Sequence, residues 1–228
     1  MKLSIIIPVY NEEATILETI KQVKKARIGK IKKEIIIIDD RSSDKTKKIL
    51  EKIKNSNLKI IFHKKNKGKG ASIKTGLNYC TGDIIIIQDA DLEYNPQEYK
   101  KLIEPIISGE TKIVYGSRIK GKGKRGKLLF FLGGILVTLT TDLLFLQKLT
   151  DEPTCYKVFH KEVIEILKNA EGKRFEWEPE ITAKLLRKGY RIKEIPISYS
   201  ARSKGKHIKA KDGFMAILTL LKWRFRKI

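Results

Sequence analysis

The sequence predicts an α/β fold with a mostly parallel sheet flanked by helices. Short apolar runs alternate with helical patterns through the first half of the 228-residue chain. Residues 5–7, 35–38 and 84–87 are unbroken isoleucine runs, which are typical of parallel strands buried on both faces. Alternation of strands and helices favours an open sheet with right-handed crossovers. With 41% hydrophobic residues the chain can bury a core, which excludes wholesale disorder.

The first half supplies most of the sheet. Strands are predicted at residues 3–8, 34–39, 58–63, 83–88 and 112–117. Helices are predicted between them, at residues 12–25, 44–53, 71–79 and 96–107. Ser43 or Asp44 suits the cap of the second helix, and Asn95 followed by Pro96 is a favourable start for the fourth.

The second half differs in composition. Residues 118–127 hold six basic residues and three glycines without an acid, a pattern typical of a loop. Residues 128–146 are apolar with the single charge of Asp142, and they are predicted to form a helix. Further elements are predicted as short helices at 161–168 and 179–188, a strand at 191–199, a basic loop at 201–211 and a helix at 213–227.

Acidic residues follow two of the predicted strands. Open α/β sheets bind ligands at the carboxyl ends of their strands, where Asp39, Asp40, Asp89 and Asp91 are expected. Carboxylates two residues apart, such as Asp89 and Asp91, can converge on Mg²⁺ or Mn²⁺ and leave room for diphosphate oxygens. The alternative for a bare D-x-D is a solvated acidic turn, but the buried run at residues 84–87 leads directly into this one.

A glycine-rich segment, Gly68-Lys69-Gly70, follows one strand and opens a helix. It lacks the third glycine of a dinucleotide-binding fingerprint, because Ile73 stands there, and the chain contains no P-loop motif. We therefore interpret it as a tight turn and helix start instead of a phosphate cradle.

The charge balance is strongly basic, with 49 Lys+Arg against 26 Asp+Glu and a net charge of +23. Such a surface attracts nucleic acid, anionic membranes or phosphorylated ligands. A nucleic-acid-binding module would gather its basic residues on one element, whereas here they are spread over several loops, so no nucleic-acid partner is expected. The apolar run at residues 5–9 is too short for a signal peptide, and the two cysteines have no metal-site spacing, so we expect a cytoplasmic protein.

Several motifs together resemble family 2 glycosyltransferases. In chain order they are Ser4-Ile-Ile-Ile-Pro-Val-Tyr-Asn-Glu-Glu13, Ile38-Asp-Asp-Arg-Ser-Ser-Asp-Lys-Thr46, Asn66-Lys-Gly-Lys-Gly-Ala71 and Gln88-Asp-Ala-Asp-Leu-Glu-Tyr94. Three later segments are similar to the dolichol-phosphate mannose synthase branch of that family, namely Tyr115-Gly-Ser-Arg118, Thr150-Asp-Glu-Pro-Thr-Cys-Tyr-Lys157 and Glu178-Pro-Glu-Ile181.

The resemblance implies a GT-A fold, a nucleotide-diphosphate-sugar donor and a divalent cation, Mg²⁺ or Mn²⁺. Matched residue by residue, it implies donor binding by Pro8, Tyr10, Glu12, Ile37, Asp39, Asp89, Ala90, Asp91, Arg202 and Lys206. It implies metal binding by Asp89, Asp91 and Glu93, and catalytic roles for Asp91, Arg118 and Arg202. The two arginines fall where the branch keeps phosphate-binding basic residues.

The reaction implied is an inverting, metal-dependent transfer of a hexose to a polyprenyl or dolichyl phosphate. Mannose from GDP-mannose is the first expectation, and UDP-glucose is the alternative donor. The cation and basic residues would stabilise the leaving diphosphate. Because the acceptor phosphate is already anionic, the reaction requires no general base.

A single domain, residues 1–228, is expected, with a nucleotide-sugar half at 1–117 and an acceptor and membrane-interface half at 118–228. As a helix, residues 128–146 would be about 28 Å long, barely enough to span a bilayer core. Their polar residues gather on one side, which favours a helix lying in the membrane interface, with residues 213–227 beside it. A spanning helix and a buried core helix are the alternatives. We expect peripheral attachment to the anionic inner face of the membrane.

Overall fold

A computed structural model describes residues 1–53, 57–124, 128–202 and 210–226. Within these ranges, the strands are β1 (Lys2–Val9), β2 (Lys32–Asp39), β3 (Leu58–Phe62), β4 (Ile84–Ile87), β5 (Ile113–Ser117), β6 (Gly123–Lys124), β7 (Lys157–His160), β8 (Ile192–Pro196) and β9 (Tyr199–Ser200). The helices are α1 (Ile16–Lys25), α2 (Thr46–Glu51), α3 (Lys69–Leu77), α4 (Tyr99–Ile107), α5 (Leu128–Phe145), α6 (Ile164–Lys168), α7 (Trp177–Arg187) and α8 (Ala210–Phe225). Short 3₁₀ turns, Pro96–Glu98 and Lys161–Val163, precede α4 and α6.

Seven strands form one sheet in the order β3-β2-β1-β4-β7-β5-β8. β1 pairs in parallel with β2 and with β4, β2 with β3, and β5 with β8, so the mostly parallel α/β fold is confirmed. β7 runs antiparallel between β4 and β5. The carboxyl ends of β1, β2, β4 and β5 therefore share one edge of the sheet with the segment that enters β7.

The isoleucine runs lie at the centre of the sheet. Every side chain at residues 5–7, 35–38 and 84–87 is at most 4% exposed, as predicted for strands covered on both faces. Helix α1 covers one face with Ile16, Ile20 and Val23. The burial of these β-branched side chains provides the main apolar contribution to the stability of the first half of the chain.

The ends of the early helices are set by side chains of neighbouring loops. Asp44 accepts a hydrogen bond from the backbone N–H of Thr46, at the start of α2. Asn95 accepts one from Gln97 in the first turn before α4, which confirms the predicted start. The first helix begins at Ile16 and not at residue 12, because the preceding residues belong to a loop that bonds to the chain after β2.

The second half contains elements that the sequence pattern did not predict. Strand β7 is one of them. The single strand expected at 191–199 is divided into β8 and β9, and the loop expected at 118–127 contains β6, which pairs in parallel with β9. Residues 203–209 of the predicted basic loop lie outside the described residues.

Helices α5 and α8 pack against each other and against α7. Only Val137, Thr138 and Thr141 of α5 are buried, so the alternative of a core helix is wrong. By length and composition α5 is the one described helix that could cross a membrane. Its polar side faces the rest of the protein, since Thr138 accepts a hydrogen bond from the N–H of Glu152, and Asp142 accepts one from the N–H of Leu149.

Trp223 anchors α8 to α7. Its indole is 5% exposed, and the ammonium of Lys184 in α7 lies 3.9 Å from the ring centroid. Arg187, also in α7, donates to the carbonyl oxygen of Trp223 at 2.7 Å and to that of Arg226. These contacts satisfy carbonyl groups that the end of a helix leaves without partners.

Candidate active site

One cavity of about 1000 Å³ opens at the carboxyl edge of the sheet. Its lining includes most of the predicted site residues, namely Pro8, Tyr10, Glu12, Asp89, Ala90, Asp91, Glu93, Arg118 and Arg202. The cavity continues along α5, where residues 129–137 form an unbroken, largely apolar wall. The structure thus brings most of the predicted donor residues and the predicted metal residues together beside an apolar surface.

The loops after β1 and β2 interlock below the predicted nucleoside pocket. Asn11 adopts a left-handed backbone with φ 53°, and its side-chain oxygen accepts the N–H of Ser43 at 2.7 Å. The N–H of Glu12 donates to the hydroxyl of Thr46 at 2.9 Å. Because each loop satisfies the backbone of the other, Tyr10 and Glu12 are held on a fixed support.

Two predicted donor residues lie beneath the cavity. Ile37 and Asp39 are both 0% exposed, and neither is among the described residues that line the cavity. Burial raises the pKa of Asp39, although Ser42 donates to its carboxylate from both N–H and hydroxyl. Asp39 shapes the loop after β2, and direct donor contacts by Ile37 and Asp39 stay predictions.

The Gly68-Lys69-Gly70 segment forms the predicted turn and helix start. The N–H groups of Lys67 and Gly68 donate to the carboxylate of Asp40 at 2.8 and 2.6 Å. Gly68 has φ 95°, a backbone conformation that favours glycine. Since Asp40 already occupies these two amides, they are not available to cradle a phosphate.

Asp89, which follows β4, belongs to a row of three ion-paired side chains. The ammonium of Lys69 lies 2.9 Å from Asp89 and 2.9 Å from Glu178 at the start of α7. Burial alone would lower the pKa of Lys69, but the two carboxylates outweigh it and raise the pKa well above its usual value. Lys69 therefore stays charged and bridges the metal motif to α7.

Asp91 lies in a crowded acidic environment. Burial, followed by the charges of Asp89 and Glu93, raises the pKa of Asp91 to about 7. A divalent cation would remove this repulsion, and carboxylate oxygens are the ligands that Mg²⁺ and Mn²⁺ prefer. The pair of Asp89 and Asp91 thus fits the predicted cation.

The carboxylate of Glu93 is hydrogen-bonded to the segment that contains β9. Its carboxylate accepts a hydrogen bond from the N–H of Arg202 at 2.7 Å and from the hydroxyl of Tyr199 at 2.5 Å. Across the described ranges, no three histidine, cysteine or acidic side chains are arranged to hold a metal ion. The role of Glu93 as a third metal ligand stays a prediction, and the remaining ligands would be diphosphate oxygens and water.

Arg202 connects the predicted nucleoside pocket to the metal motif. Its guanidinium lies 2.8 Å from Glu12, and its Nε is 3.8 Å from Asp91. That Nε is buried without a hydrogen-bond partner among the described residues, so it can donate to a ligand oxygen in the cavity. Lys206, the last predicted donor residue, lies outside the described residues.

Arg118, at the end of β5, is held by Asp151. Nε and Nη2 donate to the two carboxylate oxygens at 2.8 and 2.7 Å, and the N–H of Arg118 donates at 2.7 Å. Nη2 also donates to the carbonyl oxygen of Pro153.

Sequence reasoning missed Asp151, Lys69 and Glu178 as site residues. Their only signal was membership of the quoted motifs, because each acts through a partner distant in the chain.

Comparison with known proteins gives the family. The family model described as "Glycosyl transferase family 2" matches residues 4–167. The chain is 31% identical to a dolichol-phosphate mannosyltransferase of Pyrococcus furiosus over 98% of its own length, and spans 64% of that relative. It is 30% identical to a UDP-N-acetylglucosamine–dolichyl-phosphate N-acetylglucosaminyltransferase of Methanococcus voltae, covering 98% of this chain and 96% of the relative.

The fold also matches solved structures. Glucosyl-3-phosphoglycerate synthase from Mycobacterium tuberculosis, crystallised with Mn²⁺, UDP and phosphoglyceric acid, superposes with a TM-score of 0.74 at 20% identity. The match covers 100% of this chain and 80% of that one, and it shows the GT-A fold. The chain belongs to glycosyltransferase family 2 and is a glycosyltransferase.

Proposed function

We propose that this enzyme transfers a hexose, with inversion, from a nucleotide-diphosphate sugar to the phosphate of a polyprenyl lipid. Mannose from GDP-mannose and dolichyl phosphate are the first candidates. The observation that supports this proposal best is the single cavity that runs from Asp89 and Asp91 to the apolar wall of α5. A polar diphosphate and an apolar lipid would meet in such a cavity.

The donor side is formed by the loops after β1 and β4. Tyr10 and Glu12 would contact the nucleoside, and Asp89 and Asp91 would hold the divalent cation. When bound, the cation stabilises the negative charge of the leaving diphosphate. Arg202 adds a positive charge at the same place, and its unpartnered Nε would donate to a diphosphate oxygen.

The acceptor side is formed by Arg118 and α5. Arg118 would bind the acceptor phosphate, and residues 129–137 would pack against the first isoprene units. A phosphate oxygen then attacks the anomeric carbon opposite the diphosphate. One carbon–oxygen bond forms as the bond to the diphosphate breaks, so the configuration inverts. We assign no general base, because the acceptor phosphate is already an anion.

We also propose that the enzyme lies on the membrane surface. The apolar face of α5 and α8 is defined here as Leu128, Leu129, Leu132, Leu136, Leu139, Leu143, Phe214, Met215, Leu218, Leu221 and Phe225, all exposed. Lys222 and Arg224 in α8 and Arg226 just after it provide positive charge beside this face, although Lys222 and Arg226 also pair with Glu171. Insertion of this face into the inner leaflet would bring the cavity to the lipid acceptor.

The donor is tested by thermal unfolding with Mn²⁺ and GDP-mannose, UDP-glucose or UDP-N-acetylglucosamine. The N-acetylglucosamine donor is included because a relative is named for it. The true donor should give the largest stabilisation, and Asp91→Ala should remove that increment. The product should be an acid-labile polyprenyl phosphate sugar in the organic phase. When the sugar of the donor is radiolabelled, label found only in protein or polysaccharide would reject the lipid acceptor.

A further inference from the structure

Arg118 is fixed by its partner before any ligand binds. Asp151 is 3% exposed and accepts three hydrogen bonds from Arg118, two from the guanidinium and one from the backbone. We propose that Asp151 is the positioning residue for Arg118 and sets the orientation in which the guanidinium meets the acceptor phosphate. This inference rests on the proposed lipid-phosphate acceptor.

The loop that carries Asp151 is itself anchored on two sides. Glu194 of β8 accepts hydrogen bonds from the N–H groups of Thr150 and Asp151, at 2.8 and 2.9 Å, and from the Thr150 hydroxyl. On the other side, Thr138 of α5 accepts the N–H of Glu152. The carboxylate of Asp151 is therefore held by the sheet and by α5, so it can fix another side chain.

The geometry leaves one part of the guanidinium for a ligand. Nε and Nη2 donate to Asp151 and Pro153, while Nη1 donates to none of the described residues. The ring of Tyr199 lies 5.2 Å from the guanidinium carbon and limits its movement. A guanidinium held in this way loses less conformational freedom when it binds phosphate, which favours acceptor binding.

Asp151→Asn tests the proposal, because it keeps the size of the side chain and removes its charge. We expect the KM for a polyprenyl phosphate to rise about tenfold, with kcat changed less than about threefold. Binding of Mn²⁺ with GDP should stay unchanged. Asp83→Asn is the matched control. It also removes an ion-paired carboxylate, which bonds to Lys161, but Asp83 precedes β4 and lies at the end of that strand away from the cavity.

A second measurement does not depend on the acceptor. Phenylglyoxal modifies free guanidinium groups, and peptide mass spectrometry gives the rate for Arg118 alone. Asp151→Asn should raise that rate at least about fivefold, and Asp151→Glu, which restores the charge, should bring it back toward the wild-type rate. The cooperative unfolding of each variant is measured alongside, so that a loss of fold is recognised.

Equal modification of Arg118 in wild type and Asp151→Asn would overturn the proposal, whatever the acceptor is. So would an unchanged KM, or an equal loss of GDP and acceptor binding. In an Arg118→Lys background, Asp151→Asn should change the KM less than about twofold, and a full effect there would also contradict it. If no polyprenyl phosphate is a substrate, the proposed function fails, while the modification rates still decide whether Asp151 holds Arg118.

Discussion

Asp91 is the residue whose environment most clearly favours function over stability. Burial and the charges of Asp89 and Glu93 raise the pKa of Asp91 to about 7, so its ionised form is unfavourable in the metal-free fold. An acid with a raised pKa in the folded state destabilises the protein above that pKa and has no such effect below its unfolded value.

Asp91→Asn should therefore make the metal-free protein more stable at pH 8, by on the order of 2 kcal/mol. The gain should disappear toward pH 4, where the wild-type Asp91 is itself protonated. Transfer activity should be lost in the same variant. Chemical denaturation at the two pH values, with chelator present, measures the difference. A variant less stable than wild type at pH 8 would contradict this account of Asp91.

The sequence indicates some site residues better than others. Asp89 and Asp91 could be predicted because an isoleucine run leads directly into them. A buried strand ends before such carboxylates, which places them at the accessible edge of the sheet. Asp151 could not be assigned, because it lies between α5 and β7 while its partner Arg118 follows β5, and only the fold brings them together. Lys69 was missed for the same reason.

At the scale of elements, Glu34 joins β1, β2 and the turn before β4. Its carboxylate accepts hydrogen bonds from Ser4 and from the N–H of Thr81, and pairs with Lys2 at 2.6 Å. Burial would raise the pKa of Glu34, but these hydrogen bonds outweigh it and lower the pKa to about 2. The stabilisation is therefore present above the unfolded pKa and is lost as the pH falls toward 2.

Glu34→Gln should lower the free energy of unfolding at pH 7 by about 1 kcal/mol, a value reduced for the partial exposure of the side chain. The difference from wild type should shrink between pH 4.5 and pH 2, because the wild-type carboxylate then becomes protonated. Urea unfolding across this range measures it. A difference that stays constant with pH would show that the charge of Glu34 contributes nothing.

Helix α8 depends on Trp223 for its attachment. Trp223→Ala removes a buried indole and its contacts with the cations of Lys184 and Arg226, at 3.9 and 4.9 Å. We expect hydrogen exchange in α8 to accelerate at least about tenfold, with β1 and β4 unchanged. Phe225→Ala on the same helix is the control, because Phe225 is 78% exposed. Equal exchange in the two variants would contradict the anchoring role.

Pattern reasoning succeeded for strands marked by an unbroken apolar run and failed for strands without one. β2 and β4 were predicted because four consecutive isoleucines leave few alternatives to a buried strand. β7, Lys157–His160, is as short as β4, but two of its four residues are ionisable, so no apolar run marks it. The Lys157 ammonium is buried and donates to the carbonyl oxygens of Glu152 and Thr154. Hydrophobic periodicity does not indicate that a lysine is buried in this way.

At the scale of the whole molecule, the exposed apolar face of α5 and α8 contrasts with a net charge of +23. The two features together predict binding to anionic vesicles by insertion and by attraction. Flotation with phosphatidylglycerol vesicles should recover the protein at low salt, and high salt should weaken the binding. No recovery at low salt would reject the interfacial arrangement.

A double variant tests which surface is used. Leu139→Glu with Leu143→Glu places two charges on the apolar face and should reduce vesicle binding at least about tenfold. Leu17→Glu is the matched control, since this leucine of α1 is 55% exposed but lies outside that face. Resistance of the wild-type protein to alkaline carbonate extraction would favour a membrane-spanning α5 instead.

The reversed strand β7 has a consequence for the order in which the chain can assemble during synthesis. Strands β1 to β4 are local in sequence and can pair as soon as they leave the ribosome. However, Ile84 of β4 pairs with His160, and β5 reaches the sheet only through β7. Until β7 is synthesised, the buried isoleucine edge of β4 stays open to water and to other chains. The loops after β1 and β2 can thus form early on the nascent chain, whereas Lys69 can bridge Asp89 to Glu178 only after most of the protein has been translated.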